Sequence, residues 1–431
     1  MSDLKDKLAS ILTRHDVVTG RELRRRLEEL QQRRAAGEYE IDKVVPGELV
    51  QGKDSAFYLV RTQIPMDTSH GVIPLNTIHQ IIPEHIALAA CDPELEDFDP
   101  TKTIFFDVET TGLAGGTGTV AFLVGLGYIK GEVLHVDQCF LRDFDDEPAM
   151  LDYTQEVLKR YETIVSYNGK SFDVPLLRTR FIQNRLRPAT ERLRQLDLLH
   201  ASRRLWKARL ADCSLRNVEE GILGFRRHGD IPSEEIPEIW LEYLRTRDAR
   251  KLDRVFYHHR MDVVSLVALT SRLSQNISAA HENRLEYAED HLSLIRLLFR
   301  QRAYHQVVEL GNKLLETETE PALRCTCFEY VGFALKRLGY WDEMENLWKQ
   351  LLHELPNHLA AYLELAKFYE HRARDLSQAE QICRTALQFL ETRIALREDP
   401  LDENYRDAFQ FRLERIQRKL SRNTQSFFEE P

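Results

Sequence analysis

Cysteine is scarce in this chain and is never spaced as a structural metal would need it. The six thiols, Cys91, Cys139, Cys213, Cys325, Cys327 and Cys383, are scattered. Only Cys325 and Cys327 lie close together, with no matching Cys or His pair nearby. A zinc site is therefore not supported, and reduced, buried thiols in a cytoplasmic protein are expected. An apolar leader is also missing, because Met1 to Lys7 runs straight into a charged amphipathic pattern; no secretory signal is expected. Long hydrophobic runs are absent too. The longest uncharged stretch, Thr110 to Ile129, holds six glycines and is continuously apolar only in its second half. That composition predicts a loop followed by a buried strand, not a membrane span. Gly115-Gly116-Thr117-Gly118 lacks the Gly-Lys-Ser/Thr ending of a phosphate loop and reads as a flexible turn.

What is present suits a globular chain. At 431 residues, with 43% hydrophobic and 30% charged side chains, two or three domains are expected. The net charge of −10 argues against indiscriminate nucleic-acid binding, but it hides an asymmetry. Between Leu176 and Arg227 there are thirteen Arg and Lys against five Asp and Glu, a local excess of +8. A basic segment beside an acidic site would suit a phosphate track, although any single arginine reads as a solvated helix residue.

The hydrophobic pattern divides the chain in three. Residues 1–100 form an N-terminal extension: helix to about residue 36, then short alternating segments from Tyr39 to Val60 that read as hairpin material. Residues 101–280 read as a mixed α/β layer. Its strands are expected at Ile104–Phe106, Val120–Ile129, Val133–Phe140, Thr163–Tyr167 and Arg194–Leu199, and its helices at Glu147–Tyr161, Val174–Leu186, Ser214–Gly221, Ile236–Leu244 and Asp262–Leu273. Residues 288–420 read as all helix. Gly332, Met344, Trp348, Leu351 and Pro356 fall at tetratricopeptide offsets, and Ala366, Ala379, Cys383 and Ala386 repeat them. An irregular bundle is the plainer alternative, and the last stretch from Arg412 is expected to fray.

Three acidic blocks carry the chemistry. Asp107 and Glu109, two residues apart on an apolar strand, point to one face and need a cation or partner to neutralise them. Asp173 follows a strand and an Asn168-Gly169 turn, and Asp262 opens the last helix. Oxygen donors without nearby cysteine select Mg2+ or Mn2+, and four acids can hold two such ions about 4 Å apart for phosphodiester displacement. Asp197 suits a capping role or an outer support of this cluster. Trp206, with Arg203, Arg204 and Lys207, fits either a stacking platform for single strands or a core position.

Phe106-Asp107-Val108-Glu109-Thr110-Thr111-Gly112 resembles the first motif of the DEDD exonuclease superfamily. Asn168-Gly169-Lys170-Ser171-Phe172-Asp173 resembles its second motif, and the block ending in Asp262 its third. From Ala56-Phe57-Tyr58 onwards the chain is similar to the YprB family of bacterial ribonuclease H-like proteins, whose members often carry C-terminal tetratricopeptide repeats. The resemblance implies a ribonuclease H-like fold and metal-dependent 3′-5′ exonuclease chemistry on RNA or single-stranded DNA. It makes Asp107, Glu109, Asp173 and Asp262 the ligands of two Mg2+ or Mn2+ ions. It also places Thr110, Thr111 and Gly112 at the terminal nucleotide, while Asn168 suits either an anchor of its turn or a substrate contact. The superfamily supplies its general base as Tyr-x3-Asp or His-x4-Asp. Here His258 occupies the first spacing and Tyr257 the second, so the residue types are exchanged. His258 is the expected base, then Tyr257, with His259 last. The repeats suggest a protein partner, and no membrane association is expected. Two rivals stand beside the exonuclease: a catalytically weak, nuclease-derived scaffold, and a structure-specific endonuclease.

Overall fold

The computed structural model describes residues 37–112, 118–396 and 402–428. The helix expected over residues 1–36 and most of the Gly115–Gly118 turn lie outside them. Nine strands are described: β1 (Glu48–Gln51), β2 (Ala56–Pro65), β3 (Ser69–His70), β4 (Ile73–Pro74), β5 (Thr103–Thr110), β6 (Ala121–Lys130), β7 (Val133–Phe140), β8 (Thr163–Ser166) and β9 (Arg194–Asp197). Seven form one mixed sheet in the order β1-β2-β7-β6-β5-β8-β9, and β3 pairs with β4 separately.

The centre of the sheet follows from composition. β5 and β6 are rich in β-branched and aromatic residues and are buried on both faces over most of their length. β6 and β7 turn through Lys130-Gly131 into an antiparallel hairpin, whereas β5 pairs in parallel with β8 across the helix Glu147–Leu158 (α1). The hairpin expected between Tyr39 and Val60 appears as β1 and β2, and β2 extends the same sheet by pairing with β7 from Tyr58–Phe140 to Pro65–Val133.

Two helices carry the remaining acidic blocks, α2 (Asp173–Gln183) and α3 (Leu252–His281). The expectation that a helix starts at Asp262 is wrong: α3 begins ten residues earlier, and Asp262 lies well inside it. Leu252, Val255 and Phe256 begin its buried face, and His258 and His259 continue it. Both histidines are buried residues inside the helix instead of lying ahead of its start. Likewise the expected strand to Leu199 stops at Asp197, where the helix Leu198–Trp206 starts.

α3 lies close on β6 because two glycines make room for it. A Cβ on Gly127 would stand 2.5 Å from Val263 Cγ1 and 3.2 Å from Phe105 Cβ, and one on Gly125 would stand 2.7 Å from His259 Cε1. Their spacing of two puts both gaps on one face of the strand.

Compactness divides the chain into two units, one built of the chain up to Ala90, Glu94–His200 and Ser214–Arg272, the other of Cys91–Pro93, Ala201–Cys213 and Leu273 onwards. The division falls within α3. Beyond it the chain is all helix: α4 (Ala288–Arg300), α5 (Tyr304–Thr317), α6 (Pro321–Leu338), α7 (Trp341–Glu354), α8 (Leu359–Phe368), α9 (Leu376–Leu396) and α10 (Asp402–Phe428), each packed on the next from α4 to α9, as α9 is on α10. Gly332, Met344, Trp348 and Leu351 are buried where α6 meets α7. A Cβ on Gly332 would lie 2.6 Å from Trp348 Cε2, so a small residue is required there. Ala366, Ala379, Cys383 and Ala386 are fully buried in the following helices. Among the described residues no helix is long and apolar enough to cross a membrane.

Gly127→Val is expected to force β6 and α3 apart and cost about 1–3 kcal/mol of stability, read as a lower urea midpoint. Gly131→Asn, at an open turn position with φ +56° that asparagine tolerates, should shift stability by about 0.5 kcal/mol or less. Equal effects of the two would contradict the packing argument.

Candidate metal centre

The site is assembled from β5, the β8–α2 turn and α3. On β5, Asp107 and Glu109 occupy the face that retains slight solvent access, 17% and 14% of their side chains, while Phe106 and Val108 bury the opposite one. The register of β5 on β6 shifts between Glu109 and Thr110, ending regular pairing directly after the second acid. Beyond it the Thr110 hydroxyl donates to the Gly112 carbonyl at 3.0 Å, and Val120 N donates to Thr111 Oγ1 at 3.1 Å. These contacts tie the strand exit together, and among the described residues nothing lies within 4 Å of where a Gly112 side chain would be.

The second block is shaped by a turn. Asn168 adopts the left-handed conformation (φ 64°), which asparagine tolerates better than other side chains. Asp197 at the end of β9 holds the turn, its carboxylate accepting from Asn168 N at 2.9 Å, Lys170 N at 3.2 Å and Leu199 N at 3.0 Å. Of the two roles open to Asp197, the capping role is the one the geometry shows. A Cβ on Gly169 would meet Ser166 and stand 3.0 Å from Asp173 Oδ2, so glycine lets that carboxylate lie back over the turn. Asp173 itself is the first residue of α2, where the helix dipole favours a negative charge.

α3 brings two more groups. His258 and Asp262 are one turn apart on it, with Nε2 and Oδ2 3.4 Å apart, and His258 Nε2 is 4.0 Å from Glu109 Oε1. Among the described residues, one ligand atom each from Glu109, His258 and Asp262 all lie within 4.8 Å of one another. Asp107 and Asp173 stand outside that tight group but belong to the same charge cluster. Burial pushes Asp107 well above the usual carboxylate range, reinforced by Asp262, Asp173 and Glu109. Glu109 is raised by burial and then by Asp262 and Asp173. Asp173 is pushed up to about 7 by burial, Asp197 and Asp262. Mutually repelling carboxylates of this kind are what a divalent cation relieves, and oxygen donors with one imidazole suit such an ion.

His259, expected last as a base, is sealed beneath the cluster, with its Nε2 3.7 Å from Asp107 Oδ2. It is fully buried, its Nε2 lies 3.2 Å from the Asp107 carbonyl, and its Nδ1 lies 3.0 Å from Gln138 Nε2. Burial lowers it to about 4, so it stays neutral and braces β5 from behind. Tyr257 is half-buried, with the Arg260 guanidinium 5.9 Å from its ring centre.

Sequence reasoning missed the cation already present. Arg227, counted only within the basic segment, is buried at the centre of an acidic network. Its guanidinium donates to Asp262 Oδ1 at 2.5 Å and to both Glu219 oxygens at 2.5 and 2.8 Å, and lies 3.5 Å from Asp230. Glu219 is also held by the Ser265 hydroxyl, which lies 2.7 Å from the buried, neutral His70. Nothing local marks this role, because its partners lie 8, 3 and 35 residues away. The wider basic segment is also less available than expected. Arg178, Arg180, Arg194, Arg209, Arg216, Arg226 and Arg227 all pair with carboxylates. Trp206 is fully buried, a core residue and not a stacking platform.

The acid shifts fix a pH dependence. A carboxyl whose folded value is raised loses its proton first in the unfolded chain. Through Asp173 the metal-free protein therefore loses stability as pH rises from 3.8 towards about 7. Saturating Mg2+ or Mn2+ is expected to raise the melting temperature by about 5 °C or more at pH 8, and by less at pH 5, in thermal scans. An equal shift at both pH values would contradict the cluster. Arg227→Met, which strips the buried acids of their partner, should cost the metal-free protein about 3–5 kcal/mol in urea unfolding.

Residues 104–274 match the family model RNase_H_2, of the RNase_H superfamily. The chain is also 27% identical over 384 residues, 85% of its length and 87% of the relative's, to the uncharacterized protein YprB of Bacillus subtilis (strain 168). The antiparallel run β5–β6–β7, the parallel β5–β8–β9 edge and the acidic cluster therefore lie in a ribonuclease H-like domain.

Proposed function

We propose that this protein is a metal-dependent nuclease, specifically a DEDD-type 3′-5′ exonuclease acting on RNA or single-stranded DNA. The observation that supports this best is the gathering of Asp107, Glu109, Asp173 and Asp262, four acids from three separate elements, in which Asp262 and Asp173 both raise the cost of ionising Asp107 and Glu109. A core does not assemble such a group for stability, since each carboxylate raises the cost of ionising the others. In this reading Asp107, Glu109, Asp173 and Asp262 hold Mg2+ or Mn2+, two ions in all. The bound ions would supply the positive charge that acidifies the attacking water and stabilises the departing 3′ oxygen. His258 presents its Nε2 towards Glu109 and Asp262, where the lone pair can serve either the water's proton or a cation. Thr110, Thr111, Gly112 and Asn168 border the cluster and would line the terminal nucleotide. Residues 101–280 would form the catalytic part, residues 288–420 a tetratricopeptide-like array that docks a protein partner, and the cytoplasm its compartment.

One observation favours a second reading. Arg227 already occupies Asp262 Oδ1, so a scaffold that keeps the fold with weak turnover would also be electrostatically stable. A 5′-labelled single strand incubated with Mn2+ separates the readings. A ladder of shortened products, lost by about 100-fold or more in Asp107→Ala, is expected of the exonuclease. Absence of degradation with any divalent metal would leave the scaffold, and discrete cuts confined to hairpins or branches would mean an endonuclease.

A further inference from the structure

We propose that His258 is a metal ligand through Nε2, and that Asp230 is the positioning residue that fixes its ring for this role. The inference rests on the metal-dependent reading of the site. His258 Nδ1 lies 2.8 Å from Asp230 Oδ1, and both side chains are buried. A carboxylate accepts at that distance, so Nδ1 carries a proton and, in the neutral ring that binds a metal, the lone pair sits on Nε2. Arg227 Nη1 also approaches Nδ1, at 3.4 Å, but it can only donate, and the shorter, charge-assisted bond to Asp230 prevails.

Nε2 then aims a lone pair at Asp262 Oδ2, 3.4 Å away, and Glu109 Oε1, 4.0 Å away, with the Ser233 hydroxyl at 3.3 Å. Three donors converge on one small space, and a cation there would turn their repulsion into attraction. Asp230, His258 and the ion would form the carboxylate–imidazole–metal chain that commonly sets the tautomer of a ligating histidine. Asp262 suits the same plan, since Arg227 holds its Oδ1 and leaves Oδ2 towards His258. The exchange of residue types in the third block then has a meaning. One helical turn from Asp262, His258 can share an ion with it, which a phenol at that spacing would do poorly at neutral pH. A nitrogen donor also shifts preference from Mg2+ towards Mn2+.

The test is pulsed electron paramagnetic resonance on the full chain with bound Mn2+, beside Mn2+ titrations. Wild-type protein is expected to show directly coordinated ¹⁴N that changes on ¹⁵N-histidine labelling. His258→Gln should lose that signal while still binding Mn2+, and Asp230→Asn should weaken Mn2+ by about 10–100-fold. Mn2+ bound without nitrogen coupling, or with coupling unchanged in His258→Gln, overturns this inference and leaves the metal-dependent reading intact. No Mn2+ binding at millimolar concentration overturns both.

Discussion

Like charge held at close quarters is the constraint on which the rest of this structure depends. Burial raises the cost of ionising Asp107, Glu109 and Asp173, and Asp262 adds to it at all three. The fold answers from inside with a single arginine. Arg227 neutralises the side of the cluster nearest Asp262 and Glu219, and among the described residues no second cation pairs with Glu109 or His258. The same guanidinium lowers the burden on Asp107 and Glu109. The protein can therefore be stable without metal and still be open to it.

Holding such a cluster together takes rigid support at its back. β5 is pinned by β6 and β8 on either side, and by the His259 ring against the Asp107 carbonyl. That ring reaches the strand because Gly125 and Gly127 carry no side chains, which lets α3 lie directly on β6. Two adjacent histidines on one helix thus do opposite work. His259 is sealed in the core as a neutral brace, and His258, a hundred degrees round the helix, faces the carboxylates.

Much of this was legible in the residues. Alternation on Thr103–Thr110 placed Asp107 and Glu109 on one face, and the Lys130-Gly131 turn announced the β6–β7 hairpin. The Asn168-Gly169 turn before Asp173 was equally plain. The start of α3 was not, because the burial of His258 and His259 depends on partners known only from the fold. The basic segment misled in a similar way. Composition counts charges but not their partners, and half of these cations pair with carboxylates of the same chain.

By itself the sequence determined the fold class, the strand carrying the first two acids, and the chemistry those acids demand. Local periodicity and turn residues suffice for that, since the side-chain faces of a strand follow from spacing alone. Only the tertiary structure decided that Arg227, Asp230 and Glu219 surround Asp262 and His258. Those residues come from a loop and helix ends 28 to 43 positions upstream of the ones they serve. Electrostatic neutralisation acts through space, and no spacing rule along the chain encodes which buried cation will meet which acid.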